Sequence, residues 1–78
     1  MVDKITEDEY QELLDAVEER RPELIIETFE KLTGIVVKPY TGYQFFDAAG
    51  NYLGDDNWND IDEILKEAEI EVIPDENL

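Results

Sequence analysis

Apolar residues along the chain follow two kinds of spacing, and the change from one to the other comes at Gly34. Tyr10, Leu13, Leu14 and Val17 stand at i, i+3, i+4 and i+7, one stripe along an α-helix. Thr6 and Glu9 form a capping-box pair ahead of that stripe. Glu7, Asp8 and Glu9 put negative charge where the helix dipole favours it. Arg20 and Arg21 close the helix with positive charge. Pro22 suits the first turn of a second helix, with Ile25 or Ile26, Phe29 and Leu32 on its apolar face and Gly34 as its left-handed stop. The pattern predicts a helical hairpin.

Beyond Gly34 the pattern turns to short β-branched and aromatic runs. Ile35-Val36-Val37 reads as a strand ended by Pro39, and Tyr43-Gln44-Phe45-Phe46 as a second. Asp47-Ala48-Ala49-Gly50-Asn51 carries turn chemistry, and Tyr52-Leu53 begins a third strand that Gly54 ends, so the last two form a hairpin. Asp55-Asp56-Asn57-Trp58-Asn59 is rich in helix N-caps and precedes a third helical stripe of Ile61, Ile64, Leu65 and Ala68. Ile70 and Val72 alternate with Glu71 as a last strand before Pro74. The predicted order is ααβββαβ in one domain, residues 1–78, with residues 1–5 and 75–78 frayed. The fold class is α+β, three amphipathic helices packed mostly on one face of a small, mainly antiparallel sheet of three or four strands.

Charge changes this picture most. Twenty-two Asp and Glu stand against six Lys and Arg, a formal net charge of −16 on 78 residues. Binding a nucleic-acid backbone requires cations that displace counterions, so direct nucleic-acid binding is excluded, and anionic lipid repels the chain too. The composition includes no His and no Cys, which removes the commonest general base, the thiolate nucleophile and the usual zinc ligands. Lack of cysteine points to a reducing compartment. No apolar run has the length of a signal peptide or a membrane span. The expectation is a cytoplasmic, non-enzymatic protein without cofactor or metal. An apolar content of 42%, with one Trp, four Tyr and three Phe, is enough for a folded core.

The spacing of the acids matches neither a calcium loop nor an acid–base pair. A calcium loop begun at Asp55 has Asn57 and Asn59 at its third and fifth positions. It fails where Asp60 replaces the turn glycine and Lys66 the bidentate glutamate. A loop begun at Asp47 fails at Ala49. A carboxylate pair doing acid–base work needs a pocket that perturbs one member, and no pair stands out among 22 acids. Gly42, Gly50 and Gly54 occupy turns rather than a phosphate loop.

Two surface features remain. Acids repeat at helical spacing, as Asp8, Glu12, Asp15 and Glu19 on the first helix, Glu23, Glu27 and Glu30 on the second, and Asp56, Asp60, Glu63 and Glu67 on the third. Ordinary surface helices pair such acids with Lys four residues on. Here Arg20, Arg21, Lys31 and Lys66 all sit near helix C-termini, leaving the stripes unneutralised. Residues 40–78 are extreme, with one Lys against eleven acids. The second feature is aromatic: Tyr43, Tyr52 and Trp58 are candidates for a protein contact, with Trp58 alternatively stapling the start of the third helix.

The leading expectation is a small acidic inhibitor or regulator. Its binding surface would be Asp55, Asp56, Asp60, Glu63 and Glu67 with Asp8, Glu12, Asp15 and Glu19. Carboxylates about 6 Å apart on a helix approximate the spacing of phosphates, so they suit the basic groove of a nuclease or other nucleic-acid-binding protein. Small acidic nuclease inhibitors offer an analogy of charge and size only. The partner is then a protein with a basic surface, and the chain is expected as a monomer, since two copies repel. The alternative is a scaffold or regulatory domain that meets an ordinary partner through Tyr43, Tyr52 and Trp58, its charge serving solubility or a high-salt cytoplasm.

Overall fold

The computed structural model describes residues 1–75. The chain runs β1 (Lys4–Thr6), α1 (Glu7–Glu19), α2 (Pro22–Thr33), β2 (Val36–Pro39), β3 (Tyr43–Phe46), β4 (Tyr52–Asp55), α3 (Ile61–Glu67) and β5 (Glu71–Ile73). The α+β class holds, but the order gains a first strand and the strands divide between two sheets. An antiparallel sheet has the order β2-β3-β4, while β1 and β5 form a separate parallel pair with Ile5 opposite Val72. The last strand therefore does not extend the main sheet. Residues 1–5 were expected to fray, yet Lys4 and Ile5 belong to β1, with Ile5 buried in the core. Of the residues 75–78 expected to fray, 76–78 lie outside the described residues.

Local chemistry sets each helix boundary. Thr6 Oγ1 accepts the Glu9 N–H at 3.2 Å and the Thr6 N–H donates to Glu9 Oε1 at 2.9 Å, the reciprocal capping box read from the sequence. Arg20 ends α1 in the left-handed region at φ 54°. Arg21 is extended, as the residue before a proline must be, and Pro22 opens α2. This two-residue turn makes the helical hairpin. Gly34 stops α2, its N–H donating to the carbonyls of Phe29 and Glu30.

The core is shared by every layer. Leu13 and Ala16 of α1, Ile25 and Phe29 of α2, and Ile61, Ile64 and Leu65 of α3 meet Val37, Tyr43, Phe45 and Leu53 of the sheet. Phe29 and Phe45, ring centroids 4.9 Å apart, join α2 to the middle strand. Tyr10, Leu14 and Val17, three of the four residues of the expected α1 stripe, are only partly buried, so α1 is rotated toward Ala16. Thr28 and Thr33 are buried as well, outside the expected α2 face of Ile25 or Ile26, Phe29 and Leu32. Thr33 Oγ1 donates to the Phe29 carbonyl at 2.6 Å and accepts the Ile35 N–H at 3.0 Å, carrying the chain out of the helix.

The strand alternation breaks at one place. Phe45 lies opposite Gly54 and Phe46 opposite Tyr52, so Leu53 is an extra residue, a β-bulge. It lets β4 continue through Gly54 to Asp55, past the glycine that was expected to end it. No described helix is long and apolar enough to cross a membrane.

Candidate functional site

The most heavily hydrogen-bonded part of the surface is the turn after β4. Asp55 is 4% exposed. Its carboxylate accepts the Tyr40 hydroxyl and, at 2.8 Å, the Asn57 N–H. Its carbonyl accepts the N–H groups of Trp58 at 3.1 Å and Asn59 at 2.8 Å, and its own N–H donates to Asn59 Oδ1 at 3.2 Å. Asp56 Oδ1 accepts the Tyr43 N–H at 2.7 Å, tying the turn to the β2–β3 loop. Two glycines make this approach possible. A Cβ on Gly42 would stand 2.6 Å from both Asn57 Nδ2 and Asp56 Oδ1. One on Gly54, at φ 146°, would stand 2.8 Å from Asn59 Oδ1.

This wiring assigns the acids of the region. Asp55 and Asp56 hold the turn. Asp60 caps α3 with its N–H 3.5 Å from Glu63 Oε1, and Asn59 Nδ2 lies 3.5 Å from Glu63 Oε2. The expected third acidic stripe is shorter than the sequence suggested, because α3 begins only at Ile61: Asp56 lies in the turn, and Glu63 and Glu67 alone remain on the helix. Asp62, which the stripe omitted, accepts the Tyr10 hydroxyl across 52 residues of chain.

On α1 the expected stripe is present, with Asp8, Glu12, Asp15 and Glu19 all exposed. Glu12, Asp15 and Glu19 line a groove of about 250 Å³ whose other wall is Leu24, Thr28 and Lys31 of α2. Glu27 and Glu30 flank the same Lys31. The stripes of the two helices thus border one surface. The turn acids do not join it. Asp56, Asp60 and Asp62 face Tyr10, Leu14 and Val17 across a different groove, on the flank of α1 roughly opposite Glu12, Asp15 and Glu19 at 3.6 residues per turn. The single acidic surface expected from sequence is two surfaces separated by the width of α1.

The aromatic candidates also divide. Tyr43 is 9% exposed and belongs to the core, since it shares the inward face of β3 with Phe45. Tyr52 is 54% exposed and Trp58 83%. Trp58 therefore does not staple α3. Beyond Tyr52, sequence reading left out Tyr40, 49% exposed, and Val36 and Phe46, which the strand register aligns with Tyr52 in one outward row. Phe46 packs edge-on against Tyr52 at 5.6 Å and carries the Lys38 ammonium over its face at 4.8 Å. The alternation of Gln44 and Phe46 was the available signal.

Proton affinities follow the same contacts. The hydrogen bond to Asp62, burial, and the charges of Asp62 and Asp60 push the Tyr10 hydroxyl up to about 12. Donation to Asp55 raises Tyr40. Side-chain and backbone donors of Asn51 hold Asp47 below the usual carboxylate range, while a hydrogen bond and like charge from Asp75 raise Asp8. Among the described residues no group of three or more acids is arranged to hold a metal ion. Compared with models of protein families, with curated proteins and with solved structures, the chain matches none.

Proposed function

We propose that this protein is a non-enzymatic inhibitor or regulator that acts in the cytoplasm as a monomer. Its acidic α1–α2 surface docks on the basic groove of a nucleic-acid-binding protein or nuclease. The observation that carries this reading is the border shared by Glu12, Asp15 and Glu19 with Glu27 and Glu30, all exposed. Like charges at i, i+4 destabilise a helix by a few tenths of a kcal/mol per pair, so a surface of this kind opposes the fold that carries it. A partner cation relieves that repulsion, and a row of carboxylates about 6 Å apart occupies phosphate positions.

The test is affinity capture on the wild-type chain and on the triple variant E12Q/D15N/E19Q, at low salt and at about 0.5 M, where screening acts over a few Å. Capture of a basic nucleic-acid-binding protein, lost with salt and lost in the triple variant, supports the proposal. Binding undiminished by salt overturns it.

A second reading is favoured by the exposure of Trp58 and Tyr52, 83% and 54%. In it the protein is a small scaffold or regulatory domain that meets an ordinary partner through these rings, and the charge serves solubility. Capture that survives both salt and the triple variant, and fails in Trp58→Ala, moves the conclusion there.

A further inference from the structure

Trp58 is the side chain the fold least needs where it stands. A tryptophan left 83% exposed forgoes most of the stabilisation that burial of a large apolar side chain contributes. Yet its backbone is among the best fixed on the surface. The Trp58 N–H donates to the Asp55 carbonyl at 3.1 Å, and the adjacent Asn57 and Asn59 bond to the same buried residue. Asn57 Nδ2 also reaches the Tyr40 hydroxyl at 3.3 Å. Folding has already ordered the platform, so a partner that meets the ring incurs little further entropy cost.

Charge selects the partner. Asp56 and Asp60 stand two residues to either side, Asp62 lies beyond, and Asp60 and Asp62 are exposed. On a chain of net charge −16 a nucleobase brings its phosphate with it and is repelled. A purely apolar partner gains nothing from the carboxylates. A guanidinium uses both features: its plane stacks on the indole face and its N–H groups point outward to carboxylates. We infer that Trp58 is an anchor that stacks on an arginine of the basic partner, with the neighbouring aspartates receiving the guanidinium edge. The inference rests on the proposed docking to a basic protein and gives it a second contact, because the turn residues Asp56, Asn59 and Asp60 border a groove apart from that of Glu12, Asp15 and Glu19.

The test titrates the full chain with a hexa-arginine peptide and with its neutral isostere hexa-citrulline, at about 0.05 M and about 0.3 M salt. Calorimetry gives the affinity, and the single tryptophan gives a direct fluorescence signal. Because the ring is exposed, substitutions at Trp58 remove no packing, and circular dichroism verifies the fold. Hexa-arginine is expected to shift the Trp58 emission and hexa-citrulline to leave it unchanged. Trp58→Ala and Trp58→Leu weaken hexa-arginine binding roughly tenfold, while Trp58→Phe, which keeps a π face, weakens it only about twofold. Wild-type affinity in Trp58→Leu makes the contact an apolar one and overturns the inference. Equal binding by wild type and Trp58→Ala, both lost in E12Q/D15N/E19Q, overturns the role of Trp58 and leaves the docking surface standing. Failure of hexa-arginine to bind the wild type overturns both.

Discussion

The buried carboxylate of Asp55 accepts the hydroxyl hydrogen of Tyr40 across fifteen residues of chain. It also receives the Asn57 N–H, so one side chain closes the turn that carries Trp58 and fastens it to the loop after β2. Asp55 was read from the sequence as part of an acidic binding surface; its charge is instead used inside the fold.

Removing the Tyr40 hydroxyl should therefore be felt in stability and at Trp58. Tyr40→Phe leaves one Asp55 oxygen without its donor and is expected to lower the urea midpoint of unfolding. The anisotropy of Trp58 fluorescence should fall as its platform loosens. An unchanged urea midpoint, as for ordinary surface substitutions, would show that Tyr40 is dispensable.

Alkaline pH should unfold the protein through its tyrosines. In the unfolded chain Tyr10 loses its proton near 10, in the fold at about 12. The folded state thus holds the proton more tightly. The resulting stability is fully present below about pH 10 and is lost as the pH rises toward about 12. Tyr40 is raised as well and adds to the same slope. Tyr10→Phe should flatten the pH dependence of unfolding across this window, and tyrosinate absorbance should show the delayed titration in the wild type.

A stabilising substitution is expected at Glu69. The Glu69 N–H donates to the Lys66 carbonyl and the Ile70 N–H to that of Leu65, a Schellman motif in which Glu69 holds the left-handed position at φ 60°. Glycine adopts that conformation without the steric cost of a Cβ, and its introduction also removes a negative charge from the end of α3. Glu69→Gly should raise stability by about 0.5–1 kcal/mol, after subtracting the greater freedom of glycine in the unfolded chain. A loss in thermal or urea unfolding would contradict this account.

Self-repulsion should make the fold gain from salt and from mild acid. The thermal midpoint is expected to rise with salt and as the pH falls from neutrality toward the isoelectric point near 4.1. Individual groups differ in sign. Asp8, raised beside Asp75, takes up its proton more readily in the fold and favours folding as the pH falls through its raised value. Asp47, held low by Asn51, contributes stability above the usual carboxylate range that is lost as the pH falls through its lowered value. Asp47→Asn should therefore shift the acid limb and leave the salt response unchanged. A midpoint that drops steadily with salt would contradict the repulsive surface.

What was legible in the sequence is what short-range chemistry decides. Thr6 with Glu9, Pro22 and Gly34 bounded α1 and α2 because caps and proline act within a turn of themselves. Tyr43 to Phe46 was readable as a strand from its residue types. β1 was missed because a three-residue strand with one buried side chain has no period to detect. Its formation depends on a partner in the chain's last ten residues. The exposure of Trp58 and the burial of Tyr43 needed the fold: alternation puts Tyr43 on one face with Phe45 without saying which face is inward, and hydrogen bonds accepted by Asp55 set the turn that carries Trp58. Acidic spacing on α1 was correct, but its separation from Asp56 and Asp60 depends on how α1 is rotated against its neighbours.

The parallel pairing of Lys4 with Glu71 and of Thr6 with Ile73 gives the folding reaction a built-in order. The α1–α2 hairpin and the β2-β3-β4 meander close over short loops, whereas β1 has no partner until nearly the whole chain is in place. Ile5→Ala and Val72→Ala are thus expected to speed unfolding with little effect on the folding rate, as stopped-flow measurements would show. During synthesis the chain would emerge with its first strand waiting, and the seam between its two ends would be the last to close and the first to open.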